Sequence, residues 1–246
     1  MAAVPGAIVT GVSRQRGIAA AVAARLSRDG WTVFTTGWRT YDLEQHAGDA
    51  APVEVDVELD LADPAAASEL VGMAVNRIGP ITALVVAHTY DSGGGLLDIT
   101  AESIDRHLAV NVRGSLLLMK QFASAFGGDP GSGRVVVFTS GPPQRGAVAY
   151  AASKGALEWT TFSAATELGP RGITVNAINP GPNQTGWMTA DIEREAGERT
   201  PLGRAGRPED AASVVAFLVS ADAGWINGQV ITSDGGHRVA GGSWPR

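Results

Sequence analysis

Short apolar runs alternate with stretches of helical spacing along all 246 residues of this chain, and that alternation leaves few folds open to it. "AIVT" (7–10) is a brief apolar run ending at a glycine and reads as a strand. In "GIAAAVAARLSRDG" (17–30), Ile18, Val22 and Leu26 recur at i, i+4 and i+8 and Gly30 closes the stretch, so it reads as a helix. "WTVFTT" (31–36) is β-branched and aromatic, hence a strand. "VEVDVELD" (53–60) alternates apolar and acidic residues, as a strand covered on one face does. "PAAASELVGMAVNRIG" (64–79) starts with proline and stops at glycine, the punctuation of a helix, and "ALVVA" (83–87) reads as a buried strand.

The second half keeps the rhythm. Thr100 is placed to cap a long helix through "AESIDRHLAVNVRGSLLLMKQFASAF". "RVVVFTS" (134–140) and "ITVNAI" (173–178) read as strands, separated by a helix carrying "YAASKGALEWTTFSAATEL". A helix over 208–220 and a last strand in "GQVITSDGG" (228–236) complete the series. Such βα alternation predicts a parallel sheet with helices on both faces. No proline-rich linker, repeat or break in composition divides the chain, so residues 1–246 are expected to form one domain.

Composition narrows the function. Hydrophobic residues make up 44%, which suits a globular protein, and the formal net charge of -6 argues against a nucleic-acid partner. The absence of cysteine excludes disulfides, thiol nucleophiles and thiolate metal sites, and it agrees with a reducing, cytoplasmic setting. The start "MAAVPGAIVTG" lacks the charged and long apolar regions of a signal peptide, and "ITALVVA" is too short to span a bilayer. The four histidines show no metal-ligand spacing, so no metal is expected.

"TGVSRQRGIA" (10–19) joins the first strand to the first helix. Glycine at such a join lets backbone approach a pyrophosphate, and the helix N-terminus offers free N–H groups and a positive dipole end. The three-glycine dinucleotide signature is imperfect, because five residues separate Gly11 from Gly17 and Ala19 holds the last glycine position. A plain β-to-α turn is the alternative; the position after the first strand favours the dinucleotide. The second strand ends in "TTGWR", with Arg39 where NAD-binding chains often carry an acid, and Arg14 sits in the glycine loop. Two guanidinium groups near the ribose favour a 2′-phosphate, hence NADP(H) over NAD(H). A solvated surface role is the alternative for Arg39.

Tyr150 and Lys154 stand four apart in "YAASK", so on a helix they share a face. A lysine ammonium beside a phenol favours the phenolate and lowers its pKa, which would let Tyr150 exchange a proton with a substrate oxygen near neutral pH. Ser140 ends the preceding strand and is placed to hold the same oxygen. A tyrosine four residues before a lysine also arises by chance. The location favours chemistry, since open α/β sheets bind ligands at the carboxyl ends of their strands.

Together these segments resemble the short-chain dehydrogenase/reductase family, in its classical form, over essentially the whole chain. The matching residues are "TG…G" at 10–17, "DL" at 60–61, "VN" at 110–111, "TS" at 139–140, "YAASK" at 150–154, "NPG" at 179–181 and "GQVITSDGG" at 228–236. The resemblance implies an α/β Rossmann-type doubly wound parallel sheet of seven strands in the order 3-2-1-4-5-6-7. It implies a catalytic tetrad of Asn111, Ser140, Tyr150 and Lys154, in which Tyr150 protonates a carbonyl oxygen as the reduced nicotinamide delivers hydride. Lys154 holds the nicotinamide ribose and lowers the tyrosine pKa, and Asn111 anchors a water. The cofactor residues it implies, beside Gly11, Gly17, Arg14 and Arg39, are Ser13, Ile18, Asp60, Leu61, Ala87, Pro180, Gly181, Asn183 and Thr185, with Tyr150 and Lys154 at the ribose. Within the family the chain most resembles bacterial reductases of the 3-oxoacyl-thioester type. A small carbonyl or alcohol substrate is implied, with the reverse reaction equally open.

Three departures from the family pattern stand out. "VAHT" (86–89) replaces the usual "NNAG", the glycine loop is two residues longer than the commonest form, and only nine residues separate Ser140 from Tyr150. His88 is read as a packed or surface histidine and not a catalytic one. The departures keep open a nucleotide-binding or scaffold protein without turnover. An epimerase or dehydratase of the extended branch is disfavoured, because the last strand leaves no room for a substrate domain. The pocket walls are expected from loop 141–149, from Trp187 to Arg204 and from the loop after Ala87, with Trp187 and Met188 giving an apolar surface. Two helices apolar on more than one side, those carrying "SLLLMKQFASAF" and "ALEWTTF", predict self-association as a homotetramer, or at least a dimer.

Overall fold

The computed structural model describes residues 4–41, 53–141 and 146–240. Among them, seven parallel strands form one sheet: β1 (Gly6–Thr10), β2 (Thr32–Gly37), β3 (Val57–Glu58), β4 (Ile81–Val86), β5 (Gly133–Phe138), β6 (Ile173–Asn179) and β7 (Val230–Thr232). Their order is β3-β2-β1-β4-β5-β6-β7, the doubly wound order expected from the sequence. The helices are α1 (Ile18–Arg28), α2 (Ala66–Ile78), α3 (Ala101–His107), α4 (Ser115–Ala125), α5 (Val148–Leu168), α6 (Ala190–Arg199) and α7 (Pro208–Val219).

The central strands are buried on both faces, which is why they read as unbroken apolar runs instead of alternating ones. Successive residues still point to opposite sides. Ile8, Leu84 and Val135 pack with Leu70, Phe122 and Leu157 of α2, α4 and α5. Ala7, Val9, Val85 and Val136 pack with Val22, Leu26, Val215 and Leu218 of α1 and α7. A one-residue register slip in any of these strands would exchange the two cores.

Three segments differ from their sequence reading. In the 53–60 stretch, only Val57 and Glu58 pair with β2. The Asp56 carboxylate takes the Thr35 N–H and hydroxyl at 2.8 and 2.9 Å, so side-chain bonds replace the ladder at that end. The last strand shrinks to three residues, because the Asp234 carboxylate accepts the N–H groups of Gly236 and Arg238 and turns the chain away. Thr100 does cap α3, accepting the Ser103 N–H at 3.1 Å, but the expected long helix carries a π-helical segment over Leu108–Gly114. Helix α6 was not foreseen; its apolar content is low, and its sequence "ADIEREAGER" offers little beyond the Thr189 cap.

Candidate active site

At the carboxyl ends of the strands the sheet opens into a cavity of about 780 Å³. Its first wall is the β1-to-α1 turn, where Gly11, Ser13, Arg14, Gly17 and Ile18 all face the space. Gly11 takes φ +80°, and a Cβ there would lie 2.7 Å from the His88 nitrogen, so only glycine lets this turn lie against the end of β4. Helix α1 begins at Gly17 with no side-chain cap and no acid in its first turn. Its free N–H groups and dipole end suit an anionic group.

The rest of the lining follows the strand order. Gly37 and Trp38 come from the end of β2, Asp60 and Leu61 follow β3, and Ala87 follows β4. Pro180, Gly181, Asn183 and Thr185 follow β6. Two buried polar atoms without a protein partner among the described residues, Thr36 Oγ1 and Asn183 Oδ1, belong to residues of this lining. The open helix N-terminus and these orphaned atoms fit a dinucleotide.

Arg39 is placed otherwise than the other cofactor residues. It lies outside the lining, with its Nε 3.1 Å from Glu58 Oε1 on the surface. Arg14 reaches across the cavity toward the Thr185 carbonyl at 3.5 Å. Asp60 is also engaged, its carboxylate accepting from the Ala62 N–H and from Arg106 at 2.9 Å.

Ser140 and Tyr150 meet at the far wall. The Ser140 and Thr89 side chains lie close enough to the Tyr150 phenol to act on its pKa, and all three residues line the cavity. Residues 142–145 of the connecting loop lie outside the described residues. Lys154 and Asn111 sit behind this wall and do not line the cavity. The Lys154 Nζ lies 5.7 Å from the centre of the Tyr150 ring and donates to the Phe138 carbonyl at 3.0 Å. Burial brings its pKa down to about 8, with the Asp91 carboxylate opposing. Lys154 is therefore an ammonium at neutral pH.

The Tyr150 pKa does not move as the Tyr–Lys spacing predicts. Burial pushes the phenol above its ordinary value and the Asp91 carboxylate adds to that, while hydrogen bonds from Ser140 and Thr89 pull the other way. Desolvation outweighs the favourable contacts, so Tyr150 is an acid held in its protonated form.

Thr89, Tyr90 and Asp91 line the cavity, in the loop after Ala87 that was expected as a wall, whereas sequence reading missed Tyr41, Arg106, His237 and Arg238, which line it too. Tyr41 and Tyr90 stack at 5.3 Å, with Arg106 over the Tyr90 ring at 5.7 Å. Position just after β4 is the signal that pointed to Thr89 to Asp91. Trp187 faces the cavity as expected, and its indole N–H donates to the Asn183 carbonyl. Met188 instead is buried against Ala196 and Ala205.

His88 is buried, as the packed reading expects, and burial together with the Lys154 charge brings its pKa down to about 4. Between about pH 6.5 and 4 the unfolded chain binds a proton that the native one refuses, so native stability should fall across that window. The shift corresponds to roughly 3 kcal/mol. Urea unfolding at the two ends of the window is expected to show that extra loss in the wild type and not in His88→Gln; equal losses would contradict it.

A doubly wound sheet with a glycine turn and a Tyr–Lys helix at one cavity defines the class of dinucleotide-binding α/β proteins. Comparison with known proteins narrows that class. The family model described as Enoyl-(Acyl carrier protein) reductase matches residues 11–238. The uncharacterized oxidoreductase YjdA of Bacillus subtilis is 38% identical over 94% of this chain and 95% of its own. A short-chain dehydrogenase/reductase from Serratia marcescens is 32% identical, with a TM-score of 0.81 over 95% of this chain and 98% of that one. A short chain dehydrogenase from Burkholderia cenocepacia, in complex with NADP, is 34% identical, with a TM-score of 0.82 over 95% and 97%. The chain belongs to the short-chain dehydrogenase/reductase family of oxidoreductases.

Proposed function

We propose that this chain is an NADP(H)-dependent reductase that turns a carbonyl into a secondary alcohol, or runs the reverse, through Asn111, Ser140, Tyr150 and Lys154. The observation that carries this reading is the placement of Ser140 beside Tyr150 on the cavity wall, backed by the Lys154 ammonium. A nicotinamide bound there supplies the hydride. Tyr150, protonated at neutral pH, gives its proton to the carbonyl oxygen, and Ser140 hydrogen-bonds that oxygen. Lys154 steadies the phenolate left behind. The Asn111 amide holds both backbone groups of Tyr90 and the Ser153 hydroxyl, fixing the loop after β4 against α5.

The substrate we favour is a 3-oxoacyl thioester or a related ketone, received between Tyr150 and the apolar face of Trp187. Following NADPH absorbance with a panel of ketones tests this. Oxidation with one of them supports it; NADPH binding without oxidation of any would favour a nucleotide-binding scaffold.

NADP(H) is preferred over NAD(H) because β2 ends without an acid and because the Arg14 guanidinium lines the cavity at the glycine turn. The Burkholderia relative is described with NADP, and a 31% identical blue fluorescent protein from a metagenomic library with NADPH. Arg39 serves here only if it leaves Glu58, and exposed ion pairs of this kind hold by no more than about 1 kcal/mol. Arg39→Ala is expected to weaken NADPH about tenfold and NADH little, a loss of a charge-assisted contact to the 2′-phosphate. Equal losses in a fluorescence titration would assign the 2′-phosphate elsewhere.

Assembly as a homotetramer, or at least a dimer, is part of the proposal. Trp159 on α5 is 74% exposed and stacks edge-on with Phe162, and Leu108 and Leu116 are exposed on the neighbouring segments. Among the described residues this apolar face has no cover, and a self-complementary two-fold contact would bury it. A second contact would use edge strand β7 with Trp225, which is fully exposed. Light scattering is expected to give a multiple of the 25.3 kDa chain mass; a monomer would overturn this. No described helix is long and apolar enough to cross a membrane, and we place the protein in the cytoplasm as one cofactor-binding domain spanning the chain.

A further inference from the structure

His88 stands in the "VAHT" stretch that replaces the family's usual residues, and its ring is spent on two contacts. Nδ1 lies 2.8 Å from Thr10 Oγ1, and Nε2 lies 3.1 Å from the Val110 carbonyl oxygen. The proton positions follow from the partners. Thr10 Oγ1 already accepts the N–H groups of Ala87 and His88, at 3.1 and 3.3 Å, and its own proton has two acceptors in reach, the Val85 carbonyl at 3.4 Å and Nδ1 at 2.8 Å, of which Nδ1 is the closer. The Val110 carbonyl can only accept, so Nε2 carries the ring's proton. One donor and one acceptor are both used, and the ring is satisfied only in this neutral form.

Glycines let the backbone close in around His88. A Cβ on Gly11 would lie 2.7 Å from the His88 backbone nitrogen, so glycine there lets the β1 turn lie against the residue's main chain. A Cβ on Gly114 would lie 2.7 Å from the Leu61 carbonyl, so glycine there lets the π-helical segment approach Leu61, with the His88 ring in van der Waals reach at 3.5 Å. The carbonyl it holds belongs to the π-helical segment Leu108–Gly114, immediately before Asn111. Asn111 in turn accepts the Tyr90 N–H at 2.7 Å, donates to the Tyr90 carbonyl at 2.9 Å and donates to Ser153 Oγ at 2.9 Å. Ser153 donates to the Tyr150 carbonyl at 2.8 Å.

We propose that His88 is a positioning residue of the active site: through Val110 it fixes the π-helical segment so that Asn111 clamps the loop after β4 to the helix bearing Tyr150. The contact to Thr10 anchors the ring to the sheet; the contact to Val110 does the positioning. The inference rests on the reductase reading, so its test has one arm on turnover and one on structure.

Two substitutions separate the two contacts. In His88→Gln the amide nitrogen stands where Nε2 stood and still reaches Val110. In His88→Asn the shorter amide reaches Thr10 and not Val110. At saturating NADPH and ketone, His88→Asn and His88→Ala are expected to lose about tenfold to a hundredfold in kcat, a misplacement effect. The KM for NADPH should stay within about threefold, and His88→Gln should keep most of the rate. Hydrogen exchange at Tyr90 should quicken about tenfold in the Asn and Ala variants and not in the Gln variant, because the Asn111 clamp protects that amide.

Equal kcat in all four proteins overturns the proposal, and so does a His88→Gln enzyme as slow as His88→Ala. If His88→Ala does not fold, the comparison of Gln with Asn decides. Should the wild type turn over no ketone, the reductase reading fails, and the exchange pattern alone upholds or overturns the placement of Asn111 by His88.

Discussion

Tyr150→Phe is expected to lower turnover by about 10²- to 10⁴-fold, the range that a positioned acid supplies. The substitution keeps the ring, its packing and the spacing to Lys154, and removes one hydroxyl. That hydroxyl meets Ser140 and Thr89, both close to the cavity. Without it no described group on that wall has both a transferable proton and a pKa suited to giving it up. Ser140 and Thr89 are ordinary alcohols, and Lys154 is turned to the Phe138 carbonyl behind the wall. The turn at Gly11 to Gly17 is untouched, so NADPH should bind Tyr150→Phe within about threefold of wild type, and the loss should fall on kcat. Stopped-flow absorbance and a fluorescence titration on one preparation separate the two. Retention of wild-type turnover on an accepted ketone would remove Tyr150 from the mechanism.

Lys154→Met is expected to cost about tenfold to a hundredfold in kcat at neutral pH. The ammonium lies 5.7 Å from the phenol ring centre. A positive charge at that range favours the phenolate over the phenol. Loss of the charge makes the proton harder to give up. The pH profile adds a sign. Tyr150 is pushed upward by burial and stays protonated through neutral and mildly alkaline pH, whereas Lys154 titrates at about 8. Wild-type carbonyl reduction should therefore decline as pH rises through about 8, because the ammonium is lost while the acid is still in place. The Met variant should lack that limb. An alkaline limb of the same position in both proteins would assign it to another group.

Much of this architecture was legible because one physical rule covers it. Buried parallel strands must be apolar on both faces, and the helices between them need one apolar stripe, so "AIVT", "ALVVA" and "RVVVF" gave their strands to within a residue or two. The weak places were those where a side chain outcompetes the backbone. Asp56 and Asp234 draw N–H groups out of the pattern, shortening β3 and β7, and no periodicity reports that. The π-helical segment was hidden as well, since Leu108 to Gly114 continues the spacing of the helices on either side.

The site divides in the same way. The places of Gly11, Ser140 and Tyr150 on the cavity wall were legible because they sit at strand ends or at the start of a helix. Tyr41 and Arg106 were not, because what brings them in is a ring and cation cluster with Tyr90, formed in space between segments after β2, after β4 and in α3. The pKa of Tyr150 was misjudged because spacing reveals a neighbouring charge and not the burial that opposes it.

The most direct test of the central claim follows one atom. NADPH carrying deuterium at the transferred position of the nicotinamide is supplied with an accepted ketone, and the product is examined by mass spectrometry and NMR. The account predicts a secondary alcohol with one deuterium on the carbinol carbon, formed by the wild type and almost absent with Tyr150→Phe. An alcohol without deuterium, or equal labelled product from both proteins, would contradict it.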